Sequence, residues 1–173
     1  EVRNAFAAYE RMFEWSPHSR DDLLAAHGVL MAGLIDEPGR FRSGGVGIQR
    51  GAAIIHLAPP ADRVPALIAG LLAWLRDTPE HPLIASCVFH YEFEFIHPFQ
   101  DGNGRMGRLW QTLILSRWNP LFAAVSVETL TSQHQADYYA ALNASNKAAT
   151  CTPFIEFMLA MIRDALRELL VLE

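Results

Sequence analysis

Apolar side chains return every three or four residues along most of this chain, in runs broken by proline or glycine, and that spacing restricts it mainly to helices with one buried stripe. Val2, Ala5, Phe6, Tyr9, Met12 and Phe13 make the first run, closed by Ser16-Pro17. Leu23, Leu24, His27, Leu30, Met31 and Leu34 make a second, opened by Ser19 with Asp22 three residues on, in the manner of a capping box. Val64, Leu67, Ile68, Leu71, Leu72 and Leu75 continue the pattern until Thr78-Pro79. From Pro82 to Ile96 the residues Ile84, Cys87, Val88, Tyr91 and Phe95 fit a helix, while Tyr91, Phe93 and Phe95 also alternate as a strand would; length favours the helix. Met106, Leu109, Trp110, Leu113 and Ile114 mark another helix, and Leu121 to Val127 a short apolar connector. Gln133 to Lys147 is a further helix, and Thr152 as N-cap with Pro153 behind it opens the last, whose stripe runs from Phe154 to Leu169. The fold class predicted is all-α with one small β excursion.

That excursion is Gly39 to Pro60. Glycines at 39, 44, 45, 47 and 51 separate Val46-Gly47-Ile48 from Ala53-Ile54-Ile55-His56-Leu57, a pattern read either as a small hairpin or as an irregular surface loop. With 173 residues, 51% of them hydrophobic, the chain suits one filled core, read as a single domain over 1–173. It begins at Glu1 without an initiator Met, from which an excised piece of a longer chain is expected. A net charge of −5 with Lys147 as the sole lysine offers no basic face for nucleic acid. No apolar run reaches the ~20 residues of a membrane span. Cys87 and Cys151 form no C-x-x-C pair, which favours a reducing, cytoplasmic setting.

The chemistry is concentrated in His97-Pro98-Phe99-Gln100-Asp101-Gly102-Asn103-Gly104-Arg105-Met106-Gly107-Arg108. Gly102 and Gly104 can take positive φ, so the backbone can fold into a nest of N–H groups around an anion at the start of a helix. Arg105 and Arg108 stand three apart in the first turn, where acids are usually preferred, and so point to a polyanion. Gly102 to Gly107 is also formally G-x-G-x-x-G, with Glu128 as a candidate ribose-binding acid. Against this, His97 to Asp101 separates the glycines from any strand, and the flanks are helical. No G-x-x-x-x-G-K-[ST] occurs, and His81, His90 and His97 fit no zinc spacing. His90 reads as a packed helix residue. His97, beside the nest and a carboxylate, reads as a general base. Asp101 suits a hard divalent cation that bridges phosphate oxygens, or else a local Asx turn.

His97 to Arg108 resembles the H-x-F-x-[DE]-G-N-G-R-x-x-R signature of the Fic domain at every specified position. Gly39-Arg40-Phe41-Arg42 with Val46, Pro59-Pro60 and Val64-Pro65 resemble the family's flap, and Thr152 to Phe157 its late helix. The resemblance implies a mainly helical Fic fold with a β-hairpin flap. It further implies a protein adenylyltransferase that moves AMP from ATP to a Ser, Thr or Tyr hydroxyl of a target protein and releases pyrophosphate. On this footing His97 would deprotonate the hydroxyl, Phe99 would anchor the loop, and Asp101 would hold Mg²⁺. Gly102, Asn103 and Gly104 would cradle the phosphates, the two arginines of the motif, Arg105 and Arg108, would neutralise them, and the flap, around Ile55, His56 and Leu57, would pair with the target backbone. Tyr139 and Asn146 resemble adenine-pocket positions, with plain helix packing the other reading of Tyr139.

The family's inhibitory element, [ST]-x-x-x-E-[GN], supplies a glutamate to the second arginine, here Arg108. The nearest match, Thr152 to Glu156, is followed by Phe157 and lies in the late helix. An inhibitory segment upstream, or a separate antitoxin chain, is therefore the expected source if one exists. Transfer of another nucleotide or phosphate-containing group is the runner-up within the family. Gly104 argues against the Doc-like kinase branch, and a noncatalytic nucleotide-binding module is the reading from outside enzymology.

Overall fold

A computed structural model describes residues 1–45, 47–50, 53–125 and 127–171. Its elements are α1 (Val2–Glu10), α2 (Arg20–Leu30), β1 (Gly47–Arg50), β2 (Ala53–Leu57), α3 (Val64–Asp77), α4 (Pro82–Ile96), α5 (Asn103–Trp118), α6 (Val127–Gln133), α7 (Gln135–Ala148) and α8 (Thr152–Val171), with 3₁₀ turns at Met12–Glu14, Ala61–Arg63 and Pro120–Ala123. The fold is thus mainly helical, as the periodicity requires. No helix among the described residues is long and apolar enough to cross a membrane.

Local chemistry explains where the helices begin. The Ser19 hydroxyl accepts the Asp22 N–H at 3.2 Å, as an N-cap should, while the Asp22 carboxylate reaches back to the Ser16 N–H at 2.9 Å. At α4 the His81 ring accepts the Leu83 N–H at 3.2 Å, ahead of Pro82 in the first helical position. Some ends differ from the sequence expectation. α2 stops at Leu30, four residues short of Leu34, where the chain turns through Gly33 at φ 69°. The first run is split, with Met12 and Phe13 in a 3₁₀ turn beyond α1. The Leu121 to Val127 connector coils as 3₁₀ over Pro120–Ala123, and the short α6, which no periodicity announced, precedes α7.

α4 and α5 are the centre of the molecule. On one side Phe89, Phe93, Met106, Leu109, Trp110 and Leu113 pack with residues of α1, α2 and α3. On the other, Cys87, Tyr91 and Leu115 pack with α6, α7 and α8. Burying side chains of this size stabilises the fold by about 1.5–3 kcal/mol each. α5 is covered all round rather than along one stripe, so its polar members must find partners inside. Trp110 donates its indole N–H to the Pro17 carbonyl at 3.0 Å, and Gln111 and Thr112 bond within the helix layer.

The glycine-rich excursion forms an antiparallel hairpin. Gly47 pairs with Leu57, Ile48 with His56, Gln49 with Ile54 and Arg50 with Ala53, so Ile55 is the extra residue of a bulge. The backbone of Ile55, His56 and Leu57 therefore lies in β2, while their side chains, and the whole of Val46, are outside the described part.

Candidate functional site

The loop between α4 and α5 is shaped by backbone needs that only certain residues meet. His97 caps α4 in the left-handed region, φ 51° and ψ 62°, and is one of two described non-glycine residues there. Gly102 sits at φ 81°, and a Cβ at that position would stand 2.6 Å from the Met31 sulfur, so it needs a glycine on both grounds. Between them Phe99 is fully buried, stacked on His27 with ring centroids 3.7 Å apart. Asn103 clamps Phe99 from the other side: its Oδ1 accepts the Phe99 N–H and its Nδ2 donates to the Phe99 carbonyl, both at 2.8 Å. The side-chain amide thus holds the loop through Oδ1 and one of its two Nδ2 hydrogens, and the backbone N–H is a further donor of this residue.

α5 starts directly behind this loop. Its first intrahelical bond is from Met106 N–H to Gly102 O at 2.9 Å, so the helix gives the N–H groups of Asn103, Gly104 and Arg105 no acceptor. Those donors and the helix dipole favour an anion in front of them. Gly104 does not take positive φ. A Cβ here would stand 3.0 Å from Arg108 Nη1, so the bare residue 104 lets the guanidinium lie close over the first turn. At Gly107 a Cβ would be 2.9 Å from the His90 ring and 3.1 Å from Glu94, so α4 and α5 touch backbone to side chain there.

The two arginines turn to different carboxylates. Arg105 bonds Glu1 at 3.0 Å and stands 3.5 Å from Asp101. Arg108 is engaged by both oxygens of Glu128, Nε at 2.6 Å and Nη2 at 3.1 Å. Burial works against the Arg108 charge, but the bond and the charge of Glu128 outweigh it and hold the guanidinium above its usual value. Glu128 is the residue that spacing had offered only as a ribose-binding acid. It sits in the first turn of α6, where an acid complements the dipole. That ordinary helix-start preference was the only signal for it in the sequence, since its partner lies 20 positions away. Among the described residues it is Glu128 that pairs with Arg108, and not Glu156 of the nearest match to the inhibitory pattern.

Behind the arginines lies a buried polar layer. His90 bonds Gln111 through Nδ1 at 2.6 Å and Tyr138 through Nε2 at 3.0 Å. A neutral ring donating to the Gln111 oxygen and accepting from the Tyr138 hydroxyl satisfies both contacts. Burial drives this ring down to about 3 and pushes the Glu94 carboxyl up to about 7 against the opposing Arg108 charge. The signs are opposite. His90 binds fewer protons folded than unfolded, so its contribution is complete above pH 6.5 and is lost as pH falls toward 3. Glu94 binds more when folded, so its contribution is complete below pH 4.5 and is lost as pH rises through 7. His90→Gln isolates the first: below pH 6.5 the stability gap between wild type and variant in urea melts should close by about 1.4 kcal/mol per pH unit. A gap independent of pH would show that His90 is charged in the native state.

Asp101 keeps a largely exposed carboxylate, 62% accessible. Oδ1 accepts the Gly102 N–H at 2.6 Å, a bond to the next residue rather than the two-residue span of the Asx turn expected as its local role, and Oδ2 stands 3.5 Å from Arg105. No group of three or more His, Cys, Asp or Glu that could cage a metal occurs among the described residues. A single open carboxylate beside a phosphate nest does fit Mg²⁺, which typically takes one or two carboxylates and completes its shell with phosphates and water.

The structure thus brings His97, Phe99, Asp101, Gly102, Asn103, Gly104, Arg105 and Arg108 into one loop and helix turn. Tyr139 and Asn146 lie apart on α7. Tyr139 is 43% exposed, edge-on to Tyr138 at 5.4 Å, so it is not a core-packing residue. Asn146 accepts the Tyr91 hydroxyl at 2.9 Å and so faces α4.

The Fic/DOC family model matches residues 17–115, more than half of the chain. A protein adenylyltransferase Fic of Nematostella vectensis is 32% identical over 142 residues, which cover 80% of this chain and 31% of that protein. The protein adenylyltransferase fic-1 of Caenorhabditis elegans is 30% identical over 144 residues, covering 81% and 26%. Among solved structures, a Fic family protein of Desulfovibrio desulfuricans G20 superposes with a TM-score of 0.93 at 63% identity, over 98% of this chain and 52% of that one. The chain therefore spans about a third of the curated relatives and about half of the solved one.

Proposed function

Because this chain belongs to the Fic/DOC family, we propose that it is a transferase of the protein adenylyltransferase type, which moves AMP from ATP to a Ser, Thr or Tyr hydroxyl of a target protein. The observation that carries this reading is a histidine at the mouth of a preformed anion cradle: His97 caps α4 six residues before the open N–H groups that begin α5.

The chemistry follows from those parts. The phosphates of ATP lie against the N–H groups of Asn103, Gly104 and Arg105, with Arg105 and Arg108 as counter-charges. The neutral His97 imidazole takes the proton of the target hydroxyl, whose oxygen attacks the α-phosphorus. The bond between that phosphorus and the bridging oxygen to the β-phosphate breaks, and pyrophosphate leaves. Mg²⁺, where bound, would be held by Asp101 and would neutralise phosphate charge. The hairpin offers a strand edge along which a target backbone can lie. Tyr139, exposed on α7, and Asn146 would flank the base. Cys87 and Cys151 are both free thiols, which supports a cytoplasmic setting.

The test is incubation of the protein with cell extract, Mg²⁺ and ATP labelled at the α- or the γ-phosphate. Protein labelled from the α-position alone is the expected result. Label from the γ-position would make the protein a kinase, and no label a binding module.

A further inference from the structure

Arg42 is a buried cation, 6% exposed, whose partners among the described residues are all carbonyl oxygens. Nε donates to His97 O at 2.7 Å, Nη1 to Gly44 O at 2.9 Å, and Nη2 to Pro59 O at 2.6 Å and Ile96 O at 3.3 Å. Its own N–H donates to Pro98 O at 3.0 Å. Gly44 precedes β1 and Pro59 follows β2, so one guanidinium ties both feet of the hairpin to the last carbonyls of α4. Those carbonyls are the negative end of the helix dipole, which accounts for a cation held without a carboxylate. One of them belongs to His97, whose left-handed backbone needs outside support.

A second stitch runs parallel. The Gly39 N–H donates to His27 Nδ1 at 2.8 Å, which fixes the proton on Nε2 and lets that atom donate to Asp101 O at 3.0 Å. Residues 39 to 44, which lead into the hairpin, are thus bonded directly to positions 97 and 98 of the loop and, through His27, to position 101.

We propose that Arg42 is a positioning residue for the transfer, registering the hairpin and any polypeptide lying along it against His97. The proposal rests on the transferase reading above. The planar fork is what allows it: Arg presents donors in a fixed plane to several acceptors at once, whereas Lys is a point charge on a flexible stem. Charge alone does not set a register.

Arg42→Lys keeps the charge and loses the fork. With α-labelled ATP at saturation and cell extract as acceptor, labelling should fall about 10²-fold, the order of loss that a 1 Å misplacement brings. ATP affinity measured by calorimetry should hold, and amide hydrogen exchange should rise in β1, β2 and residues 97–101 while the helices keep their protection. Labelling at the wild-type rate would overturn the proposal. So would loss of ATP binding with protection falling across α4 and α5, the mark of a merely structural residue. If the wild type itself labels nothing, the transferase reading fails, and the exchange data decide: a joint rise in hairpin and loop supports registration by Arg42, and a rise in the hairpin alone refutes it.

Discussion

His97→Ala is expected to lower α-label transfer by roughly 10²–10⁴-fold, the range for loss of a general base, while ATP binding survives. The two effects separate because the groups that bind and the group that reacts are structurally distinct. In the proposed mechanism the phosphates would meet backbone N–H groups at the start of α5, which residue 97 does not supply. The loop conformation is held from both sides without the imidazole, by Phe99 against His27 and by the Asn103 clamp. His enters the left-handed region more readily than Ala, so the variant also carries some added backbone strain, which thermal melts of both proteins would register. Transfer rates with labelled ATP and calorimetric titration of ATP are the measurements. Transfer at the wild-type rate would remove His97 from the mechanism, and loss of both properties would make it a structural cap.

Glu128→Gln should tighten ATP binding about tenfold, equivalent to about 1.4 kcal/mol. In the present arrangement a polyphosphate must compete for Arg108 with a bidentate carboxylate whose partner side chain is only 17% exposed. Gln keeps an acceptor of similar size and removes the charge, and charge-assisted bonds are roughly twice as strong as neutral ones. The variant's Arg108 is then a poorly compensated cation, so it gains more from an incoming anion. The same loss makes the folded protein less stable by about 1–3 kcal/mol, which thermal melts without nucleotide would show. AMP, which has no β- or γ-phosphate, should bind both proteins alike. Weaker ATP binding in the variant would mean that Glu128 aims Arg108 at the ligand rather than withholding it.

Much of this was readable from local patterns. Apolar spacing located α3, α4, α5, α7 and α8 to within a few residues, because a stripe facing the core must recur with the helical period. It overran α2, since the turn at Gly33 leaves apolar residues in place on both sides, and it gave no sign of α6, a helix of only 7 residues. The strand-like alternation of Tyr91, Phe93 and Phe95 lost to helix because α4 is packed on two faces, which accommodates either pattern. Within the site, the sequence marked His97, Asp101, the glycines and the arginines. It left Arg42 and His27 as ordinary members of their runs, because their partners at 97 and 101 stand 55 and 74 positions away.

The sequence alone determined where backbone geometry and helix polarity would make an anion site, since both are properties of a few neighbouring residues: Gly102 at a left-handed turn, unsatisfied N–H groups behind it, two cations in the first turn. Only the tertiary structure decided the state of those cations and the frame of His97. Arg108 meets Glu128 because α6 packs against α5, and His97 is held by Arg42 because the hairpin's feet converge on the end of α4. Side chains that long can turn to any of several acceptors, and which one lies within reach is settled by packing across elements rather than by spacing along the chain.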